Sequence, residues 1–99
     1  MNKAYIVIFE KEMTNVVQRK TLHTKLTEDK SVFGWWHYMN NTYIIITNNT
    51  VNATSIRKFI QDILPNVNHF ALQIRYDDYD GYLDEKAWTW IEESLKRVY

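Results

Sequence analysis

Phe33-Gly34-Trp35-Trp36-His37-Tyr38-Met39, then Asn40-Asn41, then Thr42-Tyr43-Ile44-Ile45-Ile46-Thr47 read as two strands joined by a two-residue turn. Asn accepts positive φ more readily than any residue except Gly, so Asn40-Asn41 suits a tight corner. Pairing outward from it sets Met39 opposite Thr42, Tyr38 opposite Tyr43, His37 opposite Ile44, Trp36 opposite Ile45 and Trp35 opposite Ile46. One face of the ribbon then carries Trp36, Tyr38, Tyr43 and Ile45, and the other carries Trp35, His37, Ile44 and Ile46. Both faces are apolar, so the ribbon requires cover on two sides. A helix layer supplies one, and the last helix, a partner subunit or a ligand supplies the other.

The flanking segments complete the pattern. Tyr5-Ile6-Val7-Ile8-Phe9 is apolar at every position, as a central strand is. Thr14 to Glu28 is a polar helix capped by Thr14 or Asn15, with Leu22 and Leu26 one turn apart and Val16 and Val17 upstream. A second helix, capped by Thr54 or Ser55, places Ile56, Phe59, Ile60, Ile63 and Leu64 on one face and stops at Pro65. From His69 to Arg75 the chain alternates, with Phe70, Leu72 and Ile74 on one face of a half-buried strand. A final helix starts near Asp84 and groups Ala87, Trp88, Ile91 and Leu95, leaving Trp90 in need of another partner. Strand, helix, strand, strand, helix, strand is the order of an α+β, ferredoxin-like βαββαβ domain. Here it spans residues 1–99, with a four-stranded antiparallel sheet and an appended C-terminal helix.

With 99 residues and 45% hydrophobic content, the chain is one globular domain. No cysteine is present, which removes disulfides, thiolate metal sites and a cysteine nucleophile. The apolar run from Ala4 to Phe9 is too short, and too soon followed by Glu10-Lys11-Glu12, for a signal peptide or a membrane span. A cytoplasmic protein is the expectation. Twelve basic and twelve acidic side chains cancel, so the chain as a whole lacks the basic surface of a duplex DNA binder. Four Trp, seven Tyr and four Phe are the outlier. Phe9, Phe33, Trp36, Tyr38, Phe59, Phe70 and Trp88 account for a core. Trp35, Tyr43, Tyr79, Tyr82 and Trp90 exceed it, and interfaces are enriched in such residues.

The residues carry few catalytic signatures. Asp77, Asp78 and Asp80 with Gly81 begin like a calcium loop, but the first and twelfth positions fall on Tyr76 and Ala87, so an acidic turn at a helix start is the simpler assignment. His23, His37 and His69 sit on different elements. No serine stands in a nucleophile elbow and no glycine-rich phosphate loop exists. Arg19, Lys20 and Lys25 on the first helix and Arg57 and Lys58 on the second combine into one patch if the two helices lie side by side. Such a patch next to Trp or Tyr suits single strands or nucleotides.

Gly34-Trp35-Trp36-His37-Tyr38 through Thr42-Tyr43-Ile44-Ile45, followed by Gly81-Tyr82-Leu83-Asp84-Glu85-Lys86-Ala87-Trp88-Thr89-Trp90-Ile91, resembles small bacterial proteins labelled SinR-like. These are similar to the ferredoxin-like spacer-acquisition subunit of CRISPR systems. The second apolar face makes a homodimer the economical arrangement, and the resemblance implies a setting in the conflict between bacteria and mobile elements. Where the CRISPR-associated group has an aspartate just after the first strand, this chain has Glu10. The resemblance therefore implies a rival activity, a nuclease holding magnesium or manganese at Glu10, with Glu12, across a dimer axis.

The expected function is a non-catalytic, homodimeric binding module for a protein, nucleic-acid or nucleotide partner, needing no cofactor. Trp35, His37, Tyr43 and Trp90 are its candidate contact residues, and Arg19, Lys20, Arg57 and Lys58 its candidate anion contacts. A phage-encoded inhibitor of a host defence protein is a further alternative.

Overall fold

Uninterrupted apolar sequence places the first strand, β1 (Lys3–Phe9), between two neighbours, β3 (Thr42–Thr47) and β4 (His69–Ile74). The computed structural model describes residues 2–10, 16–75, 78–95 and 98. The remaining elements are β2 (Val32–Met39) and three helices, α1 (Val16–Glu28), α2 (Ala53–Ile63) and α3 (Glu85–Ser94). The sheet order is β2-β3-β1-β4, and every neighbouring pair is antiparallel. Hence β1 runs parallel to β2 with β3 between them, and β3 runs parallel to β4 with β1 between them. The protein is α+β. Thr14 and Asn15, Glu12, and Tyr76 with Asp77 of the acidic turn lie outside the described residues.

Each face of the sheet has its own core. Tyr5, Val7, Phe9, Tyr43 and Ile45 point to one side and meet Leu22 and Leu26 of α1 and Ile56 and Ile60 of α2. Ala4, Trp36, Ile44 and Ile46 point to the other and meet Ala87, Ile91, Leu95 and Val98 at α3. The last helix, rather than a partner, therefore covers the centre of the second face. Its cover stops short of β4, where Phe70 and Leu72 are each 56% exposed. The alternation in β4 is present, but Phe70 and Leu72 stand on the open side. Ala71 on the opposite side packs on the α1–α2 core. Phe33 and Tyr38 are likewise exposed, contrary to a place in the core, as are Val16 and Val17 ahead of the buried Leu22 and Leu26.

The hairpin register departs from simple pairing. Met39 faces Thr42 as expected, yet Trp36 faces Ile44 and Trp35 faces Ile45, with irregularities between Trp36 and Met39 and between Val32 and Gly34. No described residue has positive φ, so the turn at Asn40-Asn41 is not of the primed kind. An unprimed turn splays its strands, and a bulge that adds a residue and local twist to β2 restores the pairing. Because side chains alternate with period two, that one-residue shift moves Trp36 to the α3 face, and Trp35 to the α1 face with Tyr43. Asn41 serves the turn through β1 instead: its carbonyl accepts from Phe9 N–H at 2.9 Å.

Capping differs at one helix and agrees at another. Asn52, not Thr54 or Ser55, caps α2: its side chain accepts from Ser55 N–H at 2.8 Å while Ser55 Oγ accepts from Asn52 N–H at 3.0 Å, a reciprocal capping box. Asp84 caps α3, its Oδ1 accepting from Ala87 N–H at 3.0 Å. Asn52→Ala is expected to lower stability by about 1 kcal/mol. Urea titration should show a lower midpoint with an unchanged slope.

Candidate functional site

The shifted register builds a cluster beneath α1. Trp35 and His37 of β2 lie on the face where Tyr43 of β3 stands, and α1 lowers His23 onto all three. The His37 ring stacks on the Tyr43 ring with centroids 3.9 Å apart and planes 1° from parallel. The His23 ring meets Trp35 edge to face at 4.7 Å, and its Nδ1 lies 2.8 Å from the Tyr43 hydroxyl. The two imidazole centroids are 6.3 Å apart. His37 Nδ1 donates to the Thr42 carbonyl at 2.9 Å, because a carbonyl only accepts.

Burial acts on this cluster in two directions. It pushes the Tyr43 phenol up from 10.0 to about 12, since the phenolate would be desolvated. Burial first, and the neighbouring His37 second, hold the His23 imidazole below its ordinary value of 6.5. For Tyr43 the raised folded value means that the stability it contributes is complete below pH 10 and is lost as pH rises through about 12. Alkaline absorbance titration should find a late-ionising phenol near that value, and Tyr43→Phe should remove it.

Tyr43 is 1% exposed, so it is a support for His37 and not the contact residue expected of it. Trp35, in contrast, is 41% exposed, and it shares a cleft with Phe33, His37 and Tyr38 of β2, Thr27 of α1 and Trp90 of α3. Trp90 thus finds the partner its helix face lacks. It packs over Gly34, whose added Cβ would sit 3.6 Å from its ring. Three of the four candidate aromatic and imidazole contacts, Trp35, His37 and Trp90, are therefore brought to one place, at the open edge of β2. Phe33, Tyr38 and Met39, all exposed, extend it.

The basic residues lie on exposed helix surface. Lys20 and Lys25 border a shallow surface on α1 with Val16 and Val17, whereas Arg57 borders a separate one with Gln61 and the segment leading into β4. Arg57 is moreover held by Gln61 Oε1 at 2.6 Å. Arg19 and Lys58 are exposed. Glu10 is exposed at the end of β1, where its carboxylate accepts from Asn68 Nδ2 at 3.1 Å. Asp80 accepts from Gly81 N–H at 2.7 Å, as a turn residue does. Among the described residues no three His, Cys, Asp or Glu side chains gather as a metal site. No described helix is long and apolar enough to cross a membrane.

Sequence reasoning missed His23 as part of the cluster. Its position between Leu22 and Leu26 put it beside the buried stripe, but the contact with Tyr43 spans 20 residues and depends on the bulge in β2. No protein-family model, curated protein or solved structure matches the chain.

Proposed function

We propose that the chain is a non-catalytic interaction module that associates through the open edge of β2, with a second copy of itself as the first partner and a protein, nucleic-acid or nucleotide surface as the wider target. One observation carries this. β2 is an edge strand whose eight residues, Val32–Met39, include no charge and no proline, and four of its apolar side chains, Phe33, Trp35, Tyr38 and Met39, are exposed. Charges and prolines guard edge strands that stay single; β2 has neither, and its irregular register is the one such device it carries. Zero net charge leaves two copies without mutual repulsion, and a two-fold axis would set the same uncharged strip against itself.

The strand order, with both connecting helices on one face, supports the ferredoxin-like reading of the fold. The resemblance to SinR-like and CRISPR-associated proteins extends the proposal to the conflict between bacteria and mobile elements. The non-catalytic part rests on the sequence, which offers no cysteine, nucleophile elbow or phosphate loop. Sedimentation of the purified chain, with and without Trp35→Ala/Tyr38→Ala, tests the association. Magnesium- or manganese-dependent cleavage of RNA or DNA that is lost in Glu10→Ala would replace the proposal with the nuclease alternative.

A further inference from the structure

We propose that His23, Tyr43 and His37 form a proton-sensitive latch that holds α1 on the β2–β3 hairpin at neutral pH and releases it on mild acidification. The latch does not depend on what β2 binds. Its basis is the polarity of one hydrogen bond. Tyr43 is buried, and its hydroxyl keeps its proton across the neutral range. With His23 neutral, that hydroxyl donates to the Nδ1 lone pair 2.8 Å away. With His23 protonated, Nδ1–H becomes the donor, the Tyr43 oxygen must accept, and the phenolic hydrogen is turned away from its acceptor inside the core.

The neighbouring His37 also disfavours charge on His23. His37 is held in place, because its Nδ1–H is committed to the Thr42 carbonyl and its ring is stacked on Tyr43. The two ring centres therefore stay 6.3 Å apart. On α1 itself Arg19 and Lys20 stand one turn before His23 and Lys25 lies in the last turn, while the helix's carboxylate, Glu28, is exposed and about 140° around the axis from His23. From β2 and β3 the described groups facing His23 are Trp35, His37 and Tyr43, none of them anionic.

α1 is the element able to respond. It buries only Leu22 and Leu26 among its described residues, so little apolar area opposes its release. Thr27 Oγ1 donates to the His23 carbonyl at 2.7 Å, which keeps the turn carrying His23 intact as the helix moves. Trp35 reports the event, because its indole lies 4.7 Å from the His23 ring and a protonated imidazole quenches such a neighbour.

The sign follows from linkage. The folded chain holds His23 below the unfolded value of 6.5, so the unfolded chain binds the proton first. The latch's contribution is complete above pH 6.5 and is lost as pH falls through the lower folded value.

Amide hydrogen exchange and histidine NMR on the wild-type chain test this without any variant. After correction for intrinsic rates, exchange at Leu22 and Leu26 should rise by about tenfold or more relative to Val7 between about pH 7.5 and about pH 5. The His23 ring should titrate below 6.5, with Trp35 emission falling in step. His23→Gln, which can still accept from the Tyr43 hydroxyl, should flatten both responses. Exchange in α1 that keeps a constant ratio to β1 over this range, or a His23 titration at or above 6.5, would overturn the latch.

Discussion

Trp36→Ala is expected to destabilise the fold by about 3–5 kcal/mol, against a total of about 5–15 kcal/mol for a domain of this kind. Trp36 is buried with Ile44, Ile46, Ala87 and Ile91, and its Nε1–H donates to the Ala87 carbonyl at 3.3 Å. Truncation removes the largest buried side chain between the sheet and α3, together with its hydrogen bond to a carbonyl that α3 already uses in its own ladder. Each kcal/mol moves the melting temperature of a chain this size by about 4–8 °C, so a fall of roughly 15 °C or more is expected. Loss of α3 packing should show in the near-ultraviolet signal of Trp88 and Trp90 before the rest of the fold melts. Trp35→Ala, one residue away, should cost only about 1 kcal/mol, since it gives up one edge-to-face contact at a half-open site. The opposite ranking of these two variants would mean that the bulge is misplaced and that each tryptophan belongs on the other face.

Trp35→Ala/Tyr38→Ala should weaken self-association by about thirtyfold or more while the chain stays folded. An exposed aromatic anchor at the centre of an interface contributes about 2 kcal/mol or more, and 1.4 kcal/mol is tenfold in affinity, so one of the two at the centre suffices for about thirtyfold. Phe70→Ser/Leu72→Ser is the control at the other sheet edge, where two apolar side chains are equally uncovered. That pair should leave association within about threefold of wild type. A dimer that survives the β2 variant and dissociates in the β4 variant would transfer the interface to the opposite edge of the sheet.

Most of the architecture was legible because it depends on local periodicity. The three-and-four spacing from Ile56 to Leu64 and the stop at Pro65 located α2, and unbroken apolar sequence put β1 inside the sheet. β3 begins and ends where its β-branched run does. What escaped depends on geometry that no single segment encodes. Asn52, Thr54 and Ser55 are all competent caps, and only the backbone at Asn52 chose among them. The bulge after Trp36 compensates for a turn without positive φ, and it reverses the faces of Trp35, Trp36 and His37 relative to Tyr43. Phe70 and Leu72 were assigned correctly to one side of β4, but hydropathy could not say that α3 stops before reaching them. Of the contact residues, Trp35, His37 and Trp90 share a cleft, Tyr43 is beneath it, and Arg57 borders a surface separate from that of Lys20.

Hydrogen exchange of the β2 amides as a function of protein concentration addresses the edge most directly. If copies associate there, amides from Phe33 to Tyr38 gain protection as concentration rises through the dissociation constant found by sedimentation, while those of β4 do not. Protection in β2 that is independent of concentration, or a gain confined to Phe70–Leu72, would contradict the assignment of the β2 edge as the surface through which this protein associates.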